Sequence, residues 1–522
     1  MTAVRRWVAA NTVEVAFGAV FLATLAYWML VVRDSWFAID EWAMAQQITD
    51  LSGIFEPYNG HLSVVILGLY RLLLDVVGFA TYTPYRLAGV LSLAAVSLAM
   101  FLHARRLVGP AIAALLALVL LWLRGVSFEP GGLNHSLAMA AGIACAIGLG
   151  GRGRRRDLLV AGSLAFALAS AGGGVAVAAA AVVHTACTRG SRARWLAVLL
   201  PSIAWGIWWR LEVPADPPGV LAARPELADL AWGALGHAAE SFASIALGNR
   251  VAGVVLLVAF VGHAVWRFRQ GLAASANVLA WSFGLYVWWF GLMRSRWLFL
   301  DGPVTFRYEL VSVAFIFLAL LPPSRPAWVG RTSNGPGARA ISTAAVLAVA
   351  ALLVVAVRPD LQDFARFQSA LGGDTRARAA VIAVEPAVVP DEAPQSFGLG
   401  LLQAGQVRGL LGDHDQPAFL GDPDRLVLEA AGARLTARPA GGAPAGCTPL
   451  AGEQQVAADQ RIVLHSASGD PVVEVRRHGE RWVPLGRLAA GRPTVVVLPS
   501  LDVPGAWSLR AEGACARTSV PS

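Results

Sequence analysis

The sequence predicts a polytopic α-helical membrane protein of about eleven spans, followed by a C-terminal, mainly β-sandwich-like domain. Three observations predict it. The 522 residues are 56% hydrophobic and only 15% charged, with a mean hydropathy of +0.57, values typical of multi-span proteins. Apolar runs of near-bilayer length recur as far as Val357 and then stop. Arginine-rich loops alternate with acidic ones between these runs, which sets an orientation by the positive-inside rule.

The net charge of +8 contains no lysine contribution, so every basic group other than histidine is arginine. These arginines lie in short loops between apolar runs, where topology accounts for them, and nucleic acid is excluded as the partner. An arginine-only, Ala/Gly-rich chain points to a bacterial source, hence to the inner (plasma) membrane.

Arg5 and Arg6 precede the first apolar run, Val15–Val32, which reads as a retained anchor with its N-terminus in the cytoplasm. The next segment, 33–79, is an outer loop. Its second half, Leu62–Phe79, carries Arg71 and Asp75 at i, i+4 and reads as an amphipathic helix lying at the outer interface. Counting it as a span would put Arg105 and Arg106 outside. Spans then follow at Pro84–Leu102, Pro110–Leu123, Ser136–Leu149, Leu158–Ser170, Gly174–Cys187 and Trp195–Trp209. The basic loop Gly151–Arg156 is the strongest cytoplasmic marker, and the glycines 172–174 mark a tight outer turn or close helix contact. An outer loop, 210–250, contains a surface helix at Leu227–Ala246. Val251–Trp266, Ala276–Met293, Leu310–Leu321 and Ile341–Val357 complete the set, with Trp205, Trp208, Trp209, Trp288 and Trp289 as interfacial anchors.

Residues 1–357 therefore form the transmembrane domain. Residues 358–456 are a mixed helical and loop segment on the extracytoplasmic side. Residues 457–522 alternate as short strands, RIVLHSA, PVVEVRRHG, RWVPLGRL, PTVVVLPS and AWSLRAEG, separated by turn residues. Cys447 lies before this region and Cys515 in its last run, and an oxidising outer face permits a disulfide between them.

Chemistry-bearing residues gather on the outer side. Asp40 and Glu41, flanked by Trp36, Phe37 and Trp42, place carboxylates against apolar rings, and His61 follows about twenty residues later. Charged groups next to lipid are costly and mark function. A carboxylate partly desolvated by indole rings suits general-base work on an acceptor hydroxyl. His61 has three open roles: second base, phosphate partner or helix cap. Arg294, Arg296 and Arg307, with Tyr308, oppose the charge rule. Binding a lipid phosphate explains them, as does pairing with Asp301, Glu309 or headgroups. Glu129 with His135, and His237 with Glu240, lack a third ligand at regular spacing, so zinc is not indicated.

An Asp-Glu pair soon after the first span, followed by a His opening the next helix, resembles the GT-C-type integral membrane glycosyltransferases. The similarity is to the bacterial branch of protein mannosyltransferases and lipopolysaccharide core transferases that use polyprenyl-phosphate sugars. The resemblance implies a GT-C-like fold, Asp40 and Glu41 as the catalytic acids, and His61, Arg294, Arg296, Arg307 and Tyr308 as substrate-binding residues. It covers the first 357 residues by architecture and only Asp40–His61 by motif. The family often has His-Pro-Pro where this chain has His61-Leu62-Ser63. The β-domain is not general to the family.

The function expected is transfer of a sugar from a polyprenyl-phosphate donor to a cell-envelope glycan, lipid or protein acceptor on the outer face. Asp40 is the base, and Glu41 orients it or binds a metal; a divalent cation is the one cofactor the acids would suit. The alternatives are a transporter or lipid-glycan flippase, or a catalytically inactive relative. A transporter would bury ionisable groups at mid-membrane depth.

Overall fold

The structure is a computed structural model of the whole chain. It describes residues 7–8, 10–58, 60–123, 130–213, 226–296, 306–324, 336–384, 402–413, 423–430, 436–437, 446–450, 452–457, 460–467, 470–477, 482–499 and 506–519. The helices are α1 (Thr12–Val31), α2 (Asp40–Gln47), α3 (Val64–Val77), α4 (Thr83–Val108), α5 (Pro110–Leu121), α6 (Pro130–Leu149), α7 (Arg154–Ser170), α8 (Gly173–Cys187), α9 (Arg192–Glu212), α10 (Leu227–Ile245), α11 (Arg250–Arg269), α12 (Ala276–Arg296), α13 (Phe306–Leu320), α14 (Pro336–Val384), α15 (Ala404–Asp413) and α16 (Pro423–Ala430). Each apolar run of the sequence lies on one of them. Among the described residues, six helices are long and apolar enough to cross a membrane: α1, α4, α6 from Gly132, α11, α12 to Ser295 and α14. Three shorter apolar helices, α5, α8 and α13 from Tyr308, join them. The chain is thus a polytopic helical membrane protein.

Two compact units divide the chain. One comprises Met1–Arg33, Asp50–Tyr70 and Thr83–Ala365; the other comprises Asp34–Thr49, Arg71–Tyr82 and Arg366–Ser522.

The first unit is the helical bundle. Its core runs through Met100, Leu118, Ile143, Val177, Trp281 and Phe315, all fully or almost fully buried. Local signals start its helices. Pro110 opens α5 behind Gly109, where a missing N–H costs nothing. Ser191 caps α9 by accepting from the Arg194 N–H at 3.3 Å, and Asn249 caps α11 through the Ala252 N–H at 3.0 Å. Arg194 then reaches across the bundle. Its guanidinium meets Asp157 at 2.5 Å and donates to the Leu149 and Gly151 carbonyls at 3.1 and 2.7 Å. The loop between α6 and α7 is tied to α9 by one buried arginine. In the glycine run, a turn and a close helix contact occur together. The chain turns within Ala171–Gly172, and a Cβ on Gly174 would lie 2.4 Å from the Ala167 carbonyl.

Trp288 and Trp289 are not interfacial anchors: they are 4% and 2% exposed. Their indole N–H groups are spent internally, on the Tyr308 carbonyl at 3.3 Å and the Ser241 hydroxyl at 3.1 Å. Position near a span end does not distinguish an anchor from a core tryptophan; only the neighbouring helices do. Trp209, by contrast, is exposed. The 14 residues of α3 extend about 21 Å, too short to cross an apolar layer of about 30 Å. The composition change at Arg358 is no break in the backbone. Helix α14 continues through Pro359, which removes a single helical hydrogen bond.

The second unit holds α2, the end of α14, α15, α16 and all nine described strands. These are β1 (Thr436–Ala437), β2 (Thr448–Pro449), β3 (Gln454–Ala457), β4 (Arg461–His465), β5 (Val472–Arg476), β6 (Val483–Arg487), β7 (Thr494–Val497), β8 (Ala506–Arg510) and β9 (Cys515–Ser519). They form a five-stranded sheet, β1-β7-β4-β9-β2, and a four-stranded sheet, β3-β8-β5-β6. Alternation decides the faces: Val473 and Val475 are buried while Val472, Glu474 and Arg476 are not. Trp507 and Leu509 on β8, directly beside β5, are fully buried with them. Cys447 and Cys515 are joined by a disulfide, Cα to Cα 5.5 Å.

Candidate functional site

The acid pair begins α2, an eight-residue helix in the second unit. Two local features make this helix start where it does. Both carboxylates lie in the first turn, where the helix dipole favours negative charge. Glu41 also folds back: its Oε2 accepts the Ala38 N–H at 2.7 Å, while its own N–H donates to the Ala38 carbonyl at 3.3 Å. The turn so closed forces Ile39 to φ 51° and ψ −106°. A β-branched residue at positive φ is a true outlier. Such a conformation costs about 1–3 kcal/mol and survives only where its surroundings over-determine it.

The surroundings do so. Glu41 is 3% exposed, and its Oε1 accepts a short hydrogen bond from the Tyr82 hydroxyl. At the other end of α2, Arg71 donates from Nη1 to the Ile48 and Thr49 carbonyls at 2.7 and 2.8 Å, the favourable place for a cation on a helix. Arg71 also meets Asp75 at 3.0 Å. Apolar rings pack the sides. Trp42 stacks on Phe79 at 4.9 Å and meets Trp36 edge-on at 5.8 Å; Phe37 meets Phe79 at 4.9 Å and Tyr82 at 5.0 Å. The Arg376 guanidinium lies 6.0 Å over Trp36, which itself contacts Gly372. Asp40 differs from its neighbour: it is half-buried and keeps solvent contact. The two carboxylates therefore differ in setting: Glu41 is buried and bonded to the Ala38 N–H, while Asp40 is half-buried.

Could the pair hold a divalent cation? Among the described residues there is no group of three or more His, Cys, Asp or Glu side chains that could hold a metal. Both Glu41 oxygens already face hydrogen-bond donors. With both oxygens so engaged, Glu41 does not fit as a ligand of a dedicated cation site.

The other sequence candidates lie in the first unit. His61 closes a tight backbone bridge, exchanging 3.0 Å hydrogen bonds with Tyr58 in both directions. Gly60, at φ +76°, supplies the turn. Helix α3 opens only at Val64, so His61 does not cap it. The imidazole lies against Gly172, where a Cβ would come within 2.7 Å of Cε1 and 2.9 Å of Nδ1. The adjacent Gly173 sits beside the Trp288 ring, 3.5 Å from its Cζ3 to the position of a Cβ. Trp288 belongs to an aromatic triad: His135 meets it at 5.1 Å and Tyr308 at 5.5 Å, with Trp288 and Tyr308 5.9 Å apart. Next to it, the buried Asn134 Oδ1 has no hydrogen-bond partner among the described residues. Tyr308 is thus brought together with His135, which the sequence paired with Glu129 instead; Glu129 lies outside the described residues.

Arg294 is exposed near the end of α12. Arg296 and Arg307 lie in helical backbone, and their side chains fall outside the described ones, as does Asp301. His237 and Glu240 make a 3.3 Å contact, but His237 also stacks on Trp289 at 4.8 Å, a packing role. His184 is buried in the last turn of α8.

One prediction arises at His61. Gly172→Ala is expected to insert and fold, because the imidazole can swing away from the new methyl, with a stability loss of about 1 kcal/mol. If His61 contacts substrate, the displaced ring weakens donor binding as His61→Ala does. A donor KM unchanged in Gly172→Ala but raised in His61→Ala would show that the ring's seat on Gly172 is unimportant.

No family model matches the chain, and no curated protein matches it. Among solved structures, the chain is similar to ArnT from Cupriavidus metallidurans bound to undecaprenyl phosphate. Identity is 16%, the match covers 73% of this chain and 66% of that chain, and the TM-score is 0.30.

Proposed function

We propose that the protein is a membrane glycosyltransferase that moves a sugar from a polyprenyl-phosphate donor to a hydroxyl acceptor on the extracytoplasmic side. One observation carries this reading. Asp40 is a solvent-reaching carboxylate set on a strained, hydrogen-bonded turn beside a second acid that is buried and structurally occupied. The strain lies at Ile39, the residue before Asp40, and strain held in place by its surroundings is a pattern of functional sites. In the reaction, Asp40 accepts the acceptor's proton as the new C–O bond forms, and the phosphate leaves with the electron pair of the broken bond. For the charge that develops on the leaving phosphate, the candidates the sequence offers are Arg294, Arg296 and Arg307, with His61 and Tyr308 as candidate substrate contacts.

A transporter or flippase is the second reading, and burial speaks against it. Among the described residues the buried acidic, arginine and histidine side chains of the helices are Glu41, Arg86, His184 and Arg194. Glu41, Arg86 and Arg194 belong to the first turns of their helices, where Arg86 bonds the Val32 carbonyl at 2.7 Å and Arg194 binds Asp157, and His184 lies in the last turn of α8. None of these is placed mid-helix, where a substrate pathway would put it.

Proteoliposomes supplied with labelled polyprenyl-phosphate sugar test the reading. Label appearing on a glycan, lipid or peptide acceptor supports transfer. Label that crosses the bilayer still attached to its lipid supports the transporter and defeats the proposal.

The orientation follows from the arginine loops and is a prediction of its own. Reporter fusions after Arg155, Arg192 and Arg269 are expected to read cytoplasmic, and one after Gly441 extracytoplasmic. A cytoplasmic reading at Gly441 would put the acid-bearing unit on the wrong side for chemistry at the outer face.

A further inference from the structure

We infer that Tyr82 is a positioning residue for Asp40, acting through Glu41. The inference rests on the transferase reading and deepens it. The sequence offers no reason to single Tyr82 out, because it lies 41 residues beyond Glu41 in a short connection ahead of α4.

The geometry is that of a latch. Ala38 and Glu41 bracket the strained pair Ile39-Asp40, and Glu41 Oε2 holds the Ala38 N–H at 2.7 Å. That contact holds Oε2. The Tyr82 hydroxyl, donating to Oε1, holds the other oxygen and so helps to keep the carboxylate in the plane that serves Ala38. Tyr82 is in turn placed by packing: it is 9% exposed and its ring meets Phe37 at 5.0 Å, with Phe37 itself 1% exposed. The chain of constraint runs from the Phe37–Tyr82 contact to the hydroxyl, to Glu41, to the Ala38 N–H, and so to the backbone that aims Asp40. A buried charged acceptor depends strongly on each donor it has. Removing the hydroxyl leaves Glu41 short of one donor in a site with little water access. The Ile39 conformation then loses one of the contacts that over-determine it, and Asp40 shifts from its productive position.

The test uses the full-length protein and two readouts. In transfer assays, Tyr82→Phe is expected to lower kcat by about 10–10²-fold, the scale of a misplacement near 1 Å, with the donor KM unchanged. Adding Tyr82→Phe to Asp40→Asn should cost nothing further, because the effect passes through Asp40. Independently of turnover, carbodiimide-driven amidation of Asp40, followed by peptide mass spectrometry, should run several-fold faster in Tyr82→Phe than in wild type. Equal labelling rates would overturn the latch whatever the enzyme does. Altered labelling with unchanged kcat, while Asp40→Asn is inactive, would overturn the positioning role and leave the transferase reading standing. A wild type that transfers no sugar, or an Asp40→Asn as active as wild type, would remove the transferase reading and this inference with it. A lower yield of folded Tyr82→Phe protein with normal kcat per folded molecule would mark Tyr82 as purely structural.

Discussion

Asp40→Asn is expected to insert, fold and bind donor like the wild-type protein, and to transfer sugar about 10²–10⁴-fold more slowly, the range of a general-base contribution. The amide keeps the size of the carboxylate, and Asp40 is half-buried rather than sealed in, so the exchange strands no buried charge. Its place at the start of α2 is supported by the Ala38–Glu41 and Tyr82–Glu41 hydrogen bonds. Glu41→Gln should behave differently. It puts an amide where a 3% exposed carboxylate faces two donors, so folded yield and thermal midpoint fall together with turnover. Measuring turnover per folded molecule separates the two variants. Full activity in Asp40→Asn would end the assignment of Asp40 as base.

The second large effect belongs to the Cys447–Cys515 disulfide, which closes a separation of 68 residues. A closed loop of that length restricts the unfolded chain by about 4 kcal/mol in the chain-entropy model. Cys515 also sits on β9, in register with His465 of β4 and Pro449 of β2, so the bridge pins the edge strand β2 to its sheet. Cys447→Ser/Cys515→Ser is expected to unfold the C-terminal sheets at markedly lower denaturant concentration. Proteolysis should then begin in that region while the helical bundle remains intact. Peptide mapping under non-reducing conditions checks the bond itself, and two free thiols in the wild-type protein would void the prediction.

The bundle was legible because its signal is local. Apolar runs long enough for helices, ended by Gly, Pro or arginine clusters, can be read without knowing any neighbour, and every run falls on a helix. Strands RIVLH, VVEVR and AWSLR were legible for the same reason: alternation with period two is written in consecutive residues. The acid pair stood out because charge beside tryptophans after an apolar run is unusual. Trp288 shows where this kind of reading stops. Its place near a span end suggested an anchor, yet contacts from α6, α8 and α13 make it a core residue.

By itself, then, the sequence determined the helices, the strands, the membrane class and the identity of the two acids. Only tertiary structure decided how differently the two acids are set. Glu41 and Asp40 are neighbours of like charge, and no spacing rule tells them apart. Their difference comes from Tyr82 and the Ala38 N–H, which bury and occupy one carboxylate and leave the other in reach of solvent. The same holds for Arg71, whose sequence partner Asp75 was evident at i, i+4 but whose grip on the Ile48 and Thr49 carbonyls was not. Side-chain periodicity is a property of consecutive residues. A hydrogen bond between residues tens of positions apart depends on where the whole chain has folded, and no local pattern records it.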